Sequence, residues 1–195
     1  ALPEEIMKVF SGYKVIPTGL KHGTVTVLTE GEPLEITTYR IDGEYSDNRR
    51  PDSISFTRNL KEDLARRDFT VNALAFSPDE GIVDYFCGQQ DLQNKLIRCV
   101  GDANKRFSED SLRILRALRF ASQLDFQIES ATRQALFNNK GLLKNISMER
   151  IHDELLKLLM GQKARPILAE YIDIFEDLFP ELLAMKGFDQ NTPYH

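Results

Sequence analysis

The sequence has few cysteines and no long apolar run, and both shortages exclude classes of protein. Cys87 and Cys99 are the only cysteines of the 195 residues, too few for a disulfide framework, and neither has a second ligand at zinc-binding spacing. No apolar segment approaches the roughly 18 residues of a membrane-spanning helix. The first ten residues also lack the basic and apolar regions of a secretory signal. Together these absences predict a cytoplasmic protein without membrane contact.

The overall composition is typical of a folded, globular chain. Hydrophobic residues make up 42% of it and charged residues 28%, which argues against disorder. The length allows one domain or two small ones. The net charge of −5 argues, taken alone, against a large nucleic-acid-binding surface. An average of this kind can hide a local group of arginines, so the charge of each segment matters more than the sum.

The residue pattern changes near residue 100. Before that point, strand-like runs at 24–28 and 34–41 are separated by turn residues at the spacing of hairpins, and 71–86 predicts a further hairpin. The polar segment 42–56 is too long for a tight turn, and loops of this size are usually functional or mobile. From Phe107 onward, apolar residues recur with the 3.6-residue period of helices. The predicted fold is α+β, with an antiparallel sheet followed by an all-α part.

The first polar cluster is RRDFTVNA at 66–73, between a predicted helix and a predicted strand. Arg66 and Arg67 beside Asp68 could bind a polyanion such as a triphosphate, because arginine makes bidentate hydrogen bonds to phosphate oxygens. The alternative is an ordinary helix C-terminus, where basic residues complement the helix dipole. Taken alone, the cluster favours that alternative.

The second polar cluster begins at Ser108, which is predicted to cap the N-terminus of a helix whose first turn is acidic. On such a helix Asp110 and Arg113 would share one face, three residues apart, and Arg116 and Arg119 would continue the line. The alternative is a capped surface helix with one ion pair, worth about 0.2–0.5 kcal/mol.

A carboxylate beside a guanidinium has a more specific use, since it presents an acceptor next to a donor. This pattern complements the pairing edges of cytosine and adenine, in which an amino group donates and a ring nitrogen accepts. Guanine and uracil present a carbonyl in place of the amino group, and a buried polar group left without a partner costs about 1–3 kcal/mol. The Asp110 and Arg113 pair could therefore select C and A without a nucleic-acid template.

Glu35 lies in mid-strand between Leu34 and Ile36, so its side chain should point away from these apolar neighbours. Most carboxylates in this position face solvent. Glu35 could also be one ligand of a Mg²⁺ ion, which prefers carboxylate and phosphate oxygens. One carboxylate alone does not make a metal site.

These segments resemble the tRNA nucleotidyltransferases of the bacterial and eukaryotic class, which comprise CCA-adding enzymes and their CC-adding, A-adding and bacterial poly(A) polymerase relatives. The most specific match combines RRDFTVNALAF at 66–76 with RFSEDSLRILRALRFASQLDF at 106–126. Weaker matches occur in family order, so the similarity covers roughly residues 1–160. They are LKHGTVTVL at 20–28, LEITTYR at 34–40, the run Asp84, Gly88, Asp91 and Leu92, and SMERIHDELLKLL at 147–159.

The resemblance implies a domain order and a mobile segment. Segment 42–56 matches a flexible loop linked to the switch between C and A addition. The family's Asp-x-Asp pair, which holds Mg²⁺, is expected before Ala1, and its C-terminal tail is expected after His195, so both are missing from the sequence. The implied domains are a polymerase-β-like nucleotidyltransferase head at 1–98, a helical, base-selecting neck at 99–160 and the start of a helical body at 161–195.

The resemblance also assigns roles to single residues. Asp110 and Arg113 match the pair that selects the base, and Glu35 matches the third carboxylate of the catalytic site. The implied cofactor is Mg²⁺, the implied substrates are CTP and ATP, and the implied partner is the 3′ end of tRNA, to which C and/or A is added. The other matches to nucleotide-binding positions are Arg67, Asp68, Asn72, Arg116 and Arg119.

Several alternatives stay open at this point. An A-adding enzyme, a CC-adding enzyme or a bacterial poly(A) polymerase would carry the same motifs. A non-catalytic RNA- or nucleotide-binding module is favoured if the upstream aspartate pair is absent, and a plain α+β domain with ion-paired helices is the third alternative. In the later helices, basic residues predict either an RNA-binding surface or a solvated face of mixed charge. They are Lys140, Lys144, Arg150, His152, Lys157, Lys163 and Arg165.

Overall fold

The computed structural model describes residues 1–187, and the contacts within it divide the chain into two units. The first unit comprises Ala1–Glu44 and Pro51–Arg66, and the second comprises Tyr45–Arg50 and the chain from Arg67 onward. Residues 67–98 therefore pack with the helices that follow them. The predicted domain boundaries at 98 and 160 stay a prediction, and the last residues of the proposed body segment, 188–195, lie outside the described residues.

The first unit is built on a three-stranded antiparallel sheet. Ile6 of the first helix packs against Val25 and Val27, which are fully buried and point to the same face of the central strand. The antiparallel sheet predicted for this region is confirmed. Its elements are α1 (Pro3–Val9), β1 (Lys14–Gly19), β2 (Thr24–Thr29) and β3 (Glu32–Thr37), with the strand order β1-β2-β3, followed by the pair β4 (Arg40–Asp42) and β5 (Ile54–Phe56) and by α2 (Leu60–Ala65).

The strand predicted at 34–41 is interrupted in the structure. Its first part is β3, which pairs with β2, and its last part is β4, which pairs with β5. Thr38 lies at the break, where its side chain is buried and its hydroxyl donates to the carbonyl oxygen of Ala1 at 2.8 Å. The Thr38 N–H still donates to the Gly23 carbonyl beside β2 at 2.9 Å, whereas the Tyr39 carbonyl accepts the Thr57 N–H at 2.9 Å. The pairing partner therefore changes between Thr38 and Tyr39. Part of the predicted loop 42–56 is also ordered as β5.

The second unit contains the predicted hairpin and the helices. Leu74 pairs with Asp84 and Ser77 with Gly81 across the hairpin, which confirms it. The elements are β6 (Leu74–Ser77), β7 (Gly81–Asp84), α3 (Gly88–Gln93), β8 (Leu96–Ile97), α4 (Ala103–Glu109), α5 (Leu112–Leu124), β9 (Gln127–Ile128), α6 (Ser130–Asn139), α7 (Met148–Leu159), α8 (Ala164–Tyr171) and α9 (Pro180–Ala184), with 3₁₀ turns at Thr70–Asn72, Lys140–Asn145 and Ile172–Phe175.

The core of the second unit is centred on α5. The predicted apolar stripe is buried, with Leu115 and Leu118 at 1% and 0% exposure, and Ile151 and Leu158 of α7 belong to the same cluster. Phe69, which lies outside the helices, is also fully buried in it. Since a buried side chain of this size contributes about 1.5–3 kcal/mol, the RRDFT segment is fixed to the helical core.

Two negative expectations can be compared with the structure. Between residues 1 and 187, none of the helices combines the length and apolar character that crossing a membrane requires. Both cysteines are free, Cys87 at the surface and Cys99 in the core. Burial raises the pKa of the Cys99 thiol to about 12, so this thiol stays protonated at neutral pH.

Candidate functional site

The RRDFT segment is held by backbone hydrogen bonds to the chain before α4. The Thr70 N–H donates to the Arg98 carbonyl at 2.9 Å, and the Val100 N–H donates to the Asp68 carbonyl at 3.0 Å. Between them, the ring of Phe69 meets the ring of Phe120 of α5 edge-on, with centroids 5.8 Å apart. The position of Asp68 is therefore set by its neighbours on both sides.

The side chain of Asp68 binds α5 through a two-point ion pair. Its Oδ2 accepts hydrogen bonds from Nε and Nη2 of Arg116 at 2.9 and 2.6 Å, while its Oδ1 accepts one from the amide of Asn72 at 3.0 Å. Burial opposes ionisation of Asp68, but the Arg116 charge and these hydrogen bonds outweigh it and lower the pKa below its ordinary value. Asp68 is therefore a firmly ionised carboxylate. Arg67 is attached to the same turn, since its Nη1 donates to the Asn72 carbonyl at 3.3 Å.

A second carboxylate, Asp91 on α3, holds the RRDFT turn through contacts with Thr70 and Arg98. It is 2% exposed, accepts the hydroxyl of Thr70 at 2.6 Å and binds Nε of Arg98 at 3.0 Å. Gly88, at the start of α3, lies so close that an added Cβ would overlap the carbonyl oxygen of Thr70. Asp84 caps α3 by accepting the Gly88 N–H at 3.0 Å. These contacts give the run Asp84, Gly88, Asp91 a physical role, which is to fix the RRDFT turn.

The local structure predicted around Asp110 is wrong. Ser108 lies inside α4, which ends at Glu109, and α5 begins only at Leu112 with Ser111 as its N-cap residue. Asp110 has extended backbone angles of φ −137° and ψ 102°, and its carboxylate accepts the Leu112 N–H at 3.2 Å. Aspartate side chains compete in this way for backbone N–H groups, which ends one helix and starts the next. Asp110 and Arg113 therefore do not lie on one helical face.

Asp110 and Arg113 are nevertheless close in the chain and joined through the backbone. The Arg113 N–H donates to the Asp110 carbonyl at 3.0 Å. Each side chain also has an ion pair with a different residue: Arg113 with Glu109 at 2.8 Å, and Asp110 with Arg150 of α7 at 3.1 Å. The i, i+4 pair of Glu109 and Arg113 takes the place of the simple i, i+3 pair expected from the sequence. The base-selecting role of Asp110 and Arg113 stays a prediction.

Arg116 and Arg119 lie along α5 between two carboxylates. Nη1 of Arg119 is 3.2 Å from Oε1 of Glu154 on α7, and Arg116, which holds Asp68 on one side, is 4.0 Å from the same oxygen. Burial lowers the pKa of the Arg119 guanidinium, and the charge of Glu154 opposes that effect. The Arg119 guanidinium also lies 4.2 Å from the centroid of the Phe120 ring, a cation–π distance. The structure thus gathers Asp68, Arg116 and Arg119 in one network.

Glu35 lies in the first unit, exposed on β3 opposite Thr26 of β2. Its side chain points to the face opposite that of Val25 and Val27, as predicted from the alternation of the strand. Among residues 1–187, no three histidine, cysteine or acidic side chains lie close enough to bind a metal ion together. Glu35 as one ligand of Mg²⁺ stays a prediction.

Four residues that contact the predicted nucleotide-binding side chains or the α4–α5 turn are missing from the nucleotide-binding residues predicted from the sequence. Its pattern puts Glu109 in a helix N-terminus, and it puts Arg150 and Glu154 on a surface face. Asn48 lies in the polar loop; its side chain donates to the Ser108 carbonyl at 2.6 Å, and its own carbonyl accepts the Ser111 N–H at 3.2 Å. The sequence contains one feature that could have indicated Glu154. This residue falls on the apolar stripe of α7 between Ile151 and Leu158, where an acidic side chain needs a buried partner.

All four lysines of the proposed RNA-binding surface are ion-paired within the second unit. Exposed pairs of this kind are individually weak, worth about 0–1 kcal/mol. The arrangement favours a mixed-charge face over a continuous cationic surface. The pairs are Lys140–Glu176, Lys144–Asp177 at 3.5 Å, Lys157–Glu154 at 3.9 Å and Lys163–Asp125 at 3.6 Å.

Two family models match the sequence. The model described as the poly A polymerase head domain matches residues 1–98. The model described as the probable RNA and SrmB-binding site of polymerase A matches residues 125–186. The first match alone covers half of the chain, and its end coincides with the predicted end of the head.

Known proteins are similar over nearly the whole chain. The CCA-adding enzyme of Lactobacillus helveticus is 52% identical over 195 residues, covering 99% of this chain and 48% of that enzyme. A crystal structure of the Bacillus stearothermophilus CCA-adding enzyme in complex with CTP covers 87% of this chain and 41% of its own, with 46% identity and a TM-score of 0.78. A crystal structure of a tRNA nucleotidyltransferase complexed with a primer tRNA and an incoming ATP analog covers 96% of this chain and 51% of its own, with 32% identity and a TM-score of 0.68.

This chain spans about half the length of the relatives that it matches. These matches confirm the α+β fold with an antiparallel nucleotidyltransferase head followed by neck helices. With the head-domain match over residues 1–98 and the 52% identity to the Lactobacillus helveticus enzyme, the chain belongs to the class II tRNA nucleotidyltransferase and poly(A) polymerase family.

Proposed function

We propose that this protein is a nucleotidyltransferase that adds C and A to the 3′ end of tRNA, using CTP and ATP without a template. One observation carries the proposal: Asp110 precedes α5, and Arg113, Arg116 and Arg119 follow on that helix at three-residue intervals. A carboxylate and a row of guanidiniums on one short segment suit a nucleotide, which has a base edge at one end and a triphosphate at the other. Relatives of this chain include proteins crystallised with CTP, an ATP analog and a primer tRNA.

The base would be selected at the α4–α5 turn. Asp110 accepts a hydrogen bond from the amino group of C or A, and Arg113 donates to the adjacent ring nitrogen. An ionised carboxylate has about four acceptor positions, so Asp110 can bind Arg150 and Leu112 and still accept from a base. With G or U, the same carboxylate would face a carbonyl oxygen, which leaves both acceptors without a donor.

The triphosphate would be bound by the arginines further along α5. The guanidinium groups of Arg116 and Arg119 can make bidentate hydrogen bonds to phosphate oxygens. Asp68 and Asn72, which are bonded to each other at 3.0 Å, would lie near the sugar, and Arg67 would add a further cation. In the reaction, the tRNA 3′ oxygen bonds to the α-phosphorus and pyrophosphate leaves.

We further propose Mg²⁺ as the cofactor, because the sequence resembles a family whose polymerase-β-like site holds Mg²⁺ at carboxylates, and Glu35 matches one of them. Glu35 would be one ligand, and the phosphate oxygens of the nucleotide would supply others. A cytoplasmic location also stays a prediction.

The proposal is tested by incubating full-length protein with tRNA that lacks its 3′ CCA and with each nucleoside triphosphate in turn. We expect incorporation from CTP and ATP and none from GTP or UTP. Equal incorporation of all four would contradict the base-selection argument. Binding of CTP without any incorporation would favour a non-catalytic nucleotide-binding module.

Product length separates the alternatives within the family. A CCA-adding enzyme extends the shortened tRNA by three residues, a CC-adding enzyme by two, and an A-adding enzyme adds one residue to tRNA that ends in CC. A poly(A) polymerase adds a long A tail. The Lactobacillus helveticus and Bacillus stearothermophilus relatives are CCA-adding enzymes, so three residues are expected.

A further inference from the structure

We propose that helix α7 supplies two positioning residues for the nucleotide site: Arg150, which orients Asp110 toward the base, and Glu154, which orients Arg119 and Arg116 toward the triphosphate. The inference rests on the proposed function. Neither residue is assigned contact with the substrate; each acts through the side chain that it holds.

Arg150 binds the carboxylate of Asp110 at both oxygens. Its Nη2 lies 3.1 Å from Oδ2 and 3.4 Å from Oδ1. On the other side, Oδ1 accepts the backbone N–H of Leu112 at 3.2 Å. The carboxylate is thus held from two different elements, and without Arg150 it would keep only the Leu112 contact and could rotate away from the base.

Glu154 has the same relation to the arginines of α5. It is only 5% exposed, although it is an acidic residue on a helix surface. Its Oε1 lies 3.2 Å from Nη1 of Arg119 and 4.0 Å from Nη1 of Arg116. Since Arg116 is held on its other edge by Asp68 at 2.6 Å, the guanidinium has a carboxylate on each side and a fixed direction.

The hydrogen bonding of this region is incomplete in a way that points to a ligand. Among the described residues, buried side-chain atoms without a hydrogen-bond partner are Oγ of Ser111, Nε of Arg119, Nη1 of Arg150 and Oε2 of Glu154. All four lie at the start of α5 or in the ion pairs that join α7 to α5 and to the α4–α5 turn. Buried polar atoms are nearly always paired in native proteins, since leaving one unpaired costs about 1–3 kcal/mol. Their concentration here indicates a site that a polar substrate completes.

The position of α7 explains why it can act as a rigid support. Arg150 and Glu154 are four residues apart and therefore project from one face. Ile151 and Leu158 on the adjoining stripe are fully buried in the core shared with α5. Ser122 of α5 also donates to the Leu158 carbonyl at 2.8 Å, so the two helices are joined by packing and by a buried hydrogen bond.

The two residues have different partners, and this difference separates positioning from mere structural support. Arg150 binds the side chain proposed to read the base, so Arg150→Gln should impair discrimination between nucleotides. We expect the preference for CTP and ATP over UTP and GTP to fall about tenfold or more. Among the proposed nucleotide-binding residues, Glu154 binds only Arg116 and Arg119, and its other partner is the exposed Lys157 at 3.9 Å. Glu154→Gln should therefore raise KM for CTP and ATP alike by about tenfold and leave the discrimination unchanged.

The experiment measures kcat and KM for each of the four nucleoside triphosphates with full-length protein and tRNA lacking its 3′ end. Matched controls are Asp153→Asn on the exposed face of α7 and Arg133→Gln on α6, whose partner Glu170 is half-exposed. Both should match the wild type. Arg150→Lys keeps a positive charge beside Asp110 and should recover part of the lost discrimination, which covers the case in which Arg150→Gln does not fold.

The outcomes are distinct. Wild-type protein that adds neither C nor A would contradict the proposed function itself. The inference is supported if the wild type is active, Arg150→Gln loses discrimination between bases, and Glu154→Gln has a raised KM with unchanged discrimination. The same loss for all four nucleotides in both variants, or equal effects in the Asp153→Asn control, would show that α7 is only structural support and would overturn it.

Discussion

Arg116 and Asp68 are 48 residues apart in the chain, yet Nη2 and Nε of the arginine lie 2.6 and 2.9 Å from the same carboxylate oxygen. The pair connects the RRDFT turn to the middle of α5, so both polar clusters of the sequence belong to one structure. Asp68 is buried, whereas the Arg116 side chain is 31% exposed, and loss of this half-buried pair should affect stability as well as nucleotide binding.

The first prediction concerns the pH dependence of this pair. Burial disfavours the ionised form of Asp68, but the Arg116 charge and the Asn72 hydrogen bond outweigh it, so the folded pKa is lowered. A group of this kind stabilises the fold above its unfolded pKa, about 3.9, and loses that contribution as the pH falls through the lower folded value. Asp68→Asn should therefore reduce the free energy of unfolding at pH 7 by about 1–3 kcal/mol, with a smaller difference near pH 2.

Urea unfolding of the wild type and Asp68→Asn at several pH values measures this difference. Asp153→Asn, which removes an exposed carboxylate of α7, is the control and should change stability little at any pH. A difference for Asp68→Asn that stays constant from pH 7 to pH 2 would show that the ionised pair is not its cause.

The second prediction tests the base-selecting residue. Asp110→Ala removes the proposed acceptor for the amino group of C and A, so selectivity against GTP and UTP should fall about tenfold or more, or incorporation should be lost. Incorporation from each triphosphate on tRNA lacking its 3′ end measures the effect. Asp79→Ala, in the exposed β6–β7 turn, is the control. Unchanged selectivity of Asp110→Ala would remove Asp110 from the proposed mechanism.

How much of this site can be predicted depends on the sequence distance between partners. The hairpins and the apolar face of α5 follow from local periodicity, and the structure confirms them. The end of α4 and the start of α5 do not follow from local periodicity, because Ser108, Asp110 and Ser111 are all acceptable N-cap residues for the second helix. The choice is made by contacts from elsewhere: the Asn48 carbonyl accepts the Ser111 N–H at 3.2 Å.

The ion pairs of α7 are hidden from the sequence for the same reason. Arg150 binds Asp110, which is 40 residues earlier in the chain, and Glu154 binds Arg119, which is 35 residues earlier. No local sequence pattern specifies such partners. In sequence these residues are typical of a charged helix surface. Only the acidic residue on an apolar stripe indicates that α7 faces charged side chains of another helix.

The third prediction concerns the support of the RRDFT turn. Gly88→Ala would place a methyl group against the carbonyl oxygen of Thr70, so the turn or α3 must shift, at a cost of about 1–3 kcal/mol. Gly141→Ala is a matched control in the same unit, because its added Cβ would meet only the Asp177 carboxylate at 3.7 Å, an ordinary contact. Thermal or urea unfolding compares the two. Equal stability of both variants would show that the Gly88 contact can relax without cost.

The fourth prediction uses the two cysteines as reporters of the fold. Cys99 is 3% exposed and burial raises its pKa to about 12, so at pH 8 it is both shielded and protonated. Because the thiolate is the reactive form, Cys99 should resist alkylation by iodoacetamide in the native protein, whereas exposed Cys87 should react. Mass spectrometry should find one alkylated thiol in the native protein and two in urea. Cys87→Ser should give none in the native protein, and rapid labelling of Cys99 in that variant would show that the core around Cys99 opens readily.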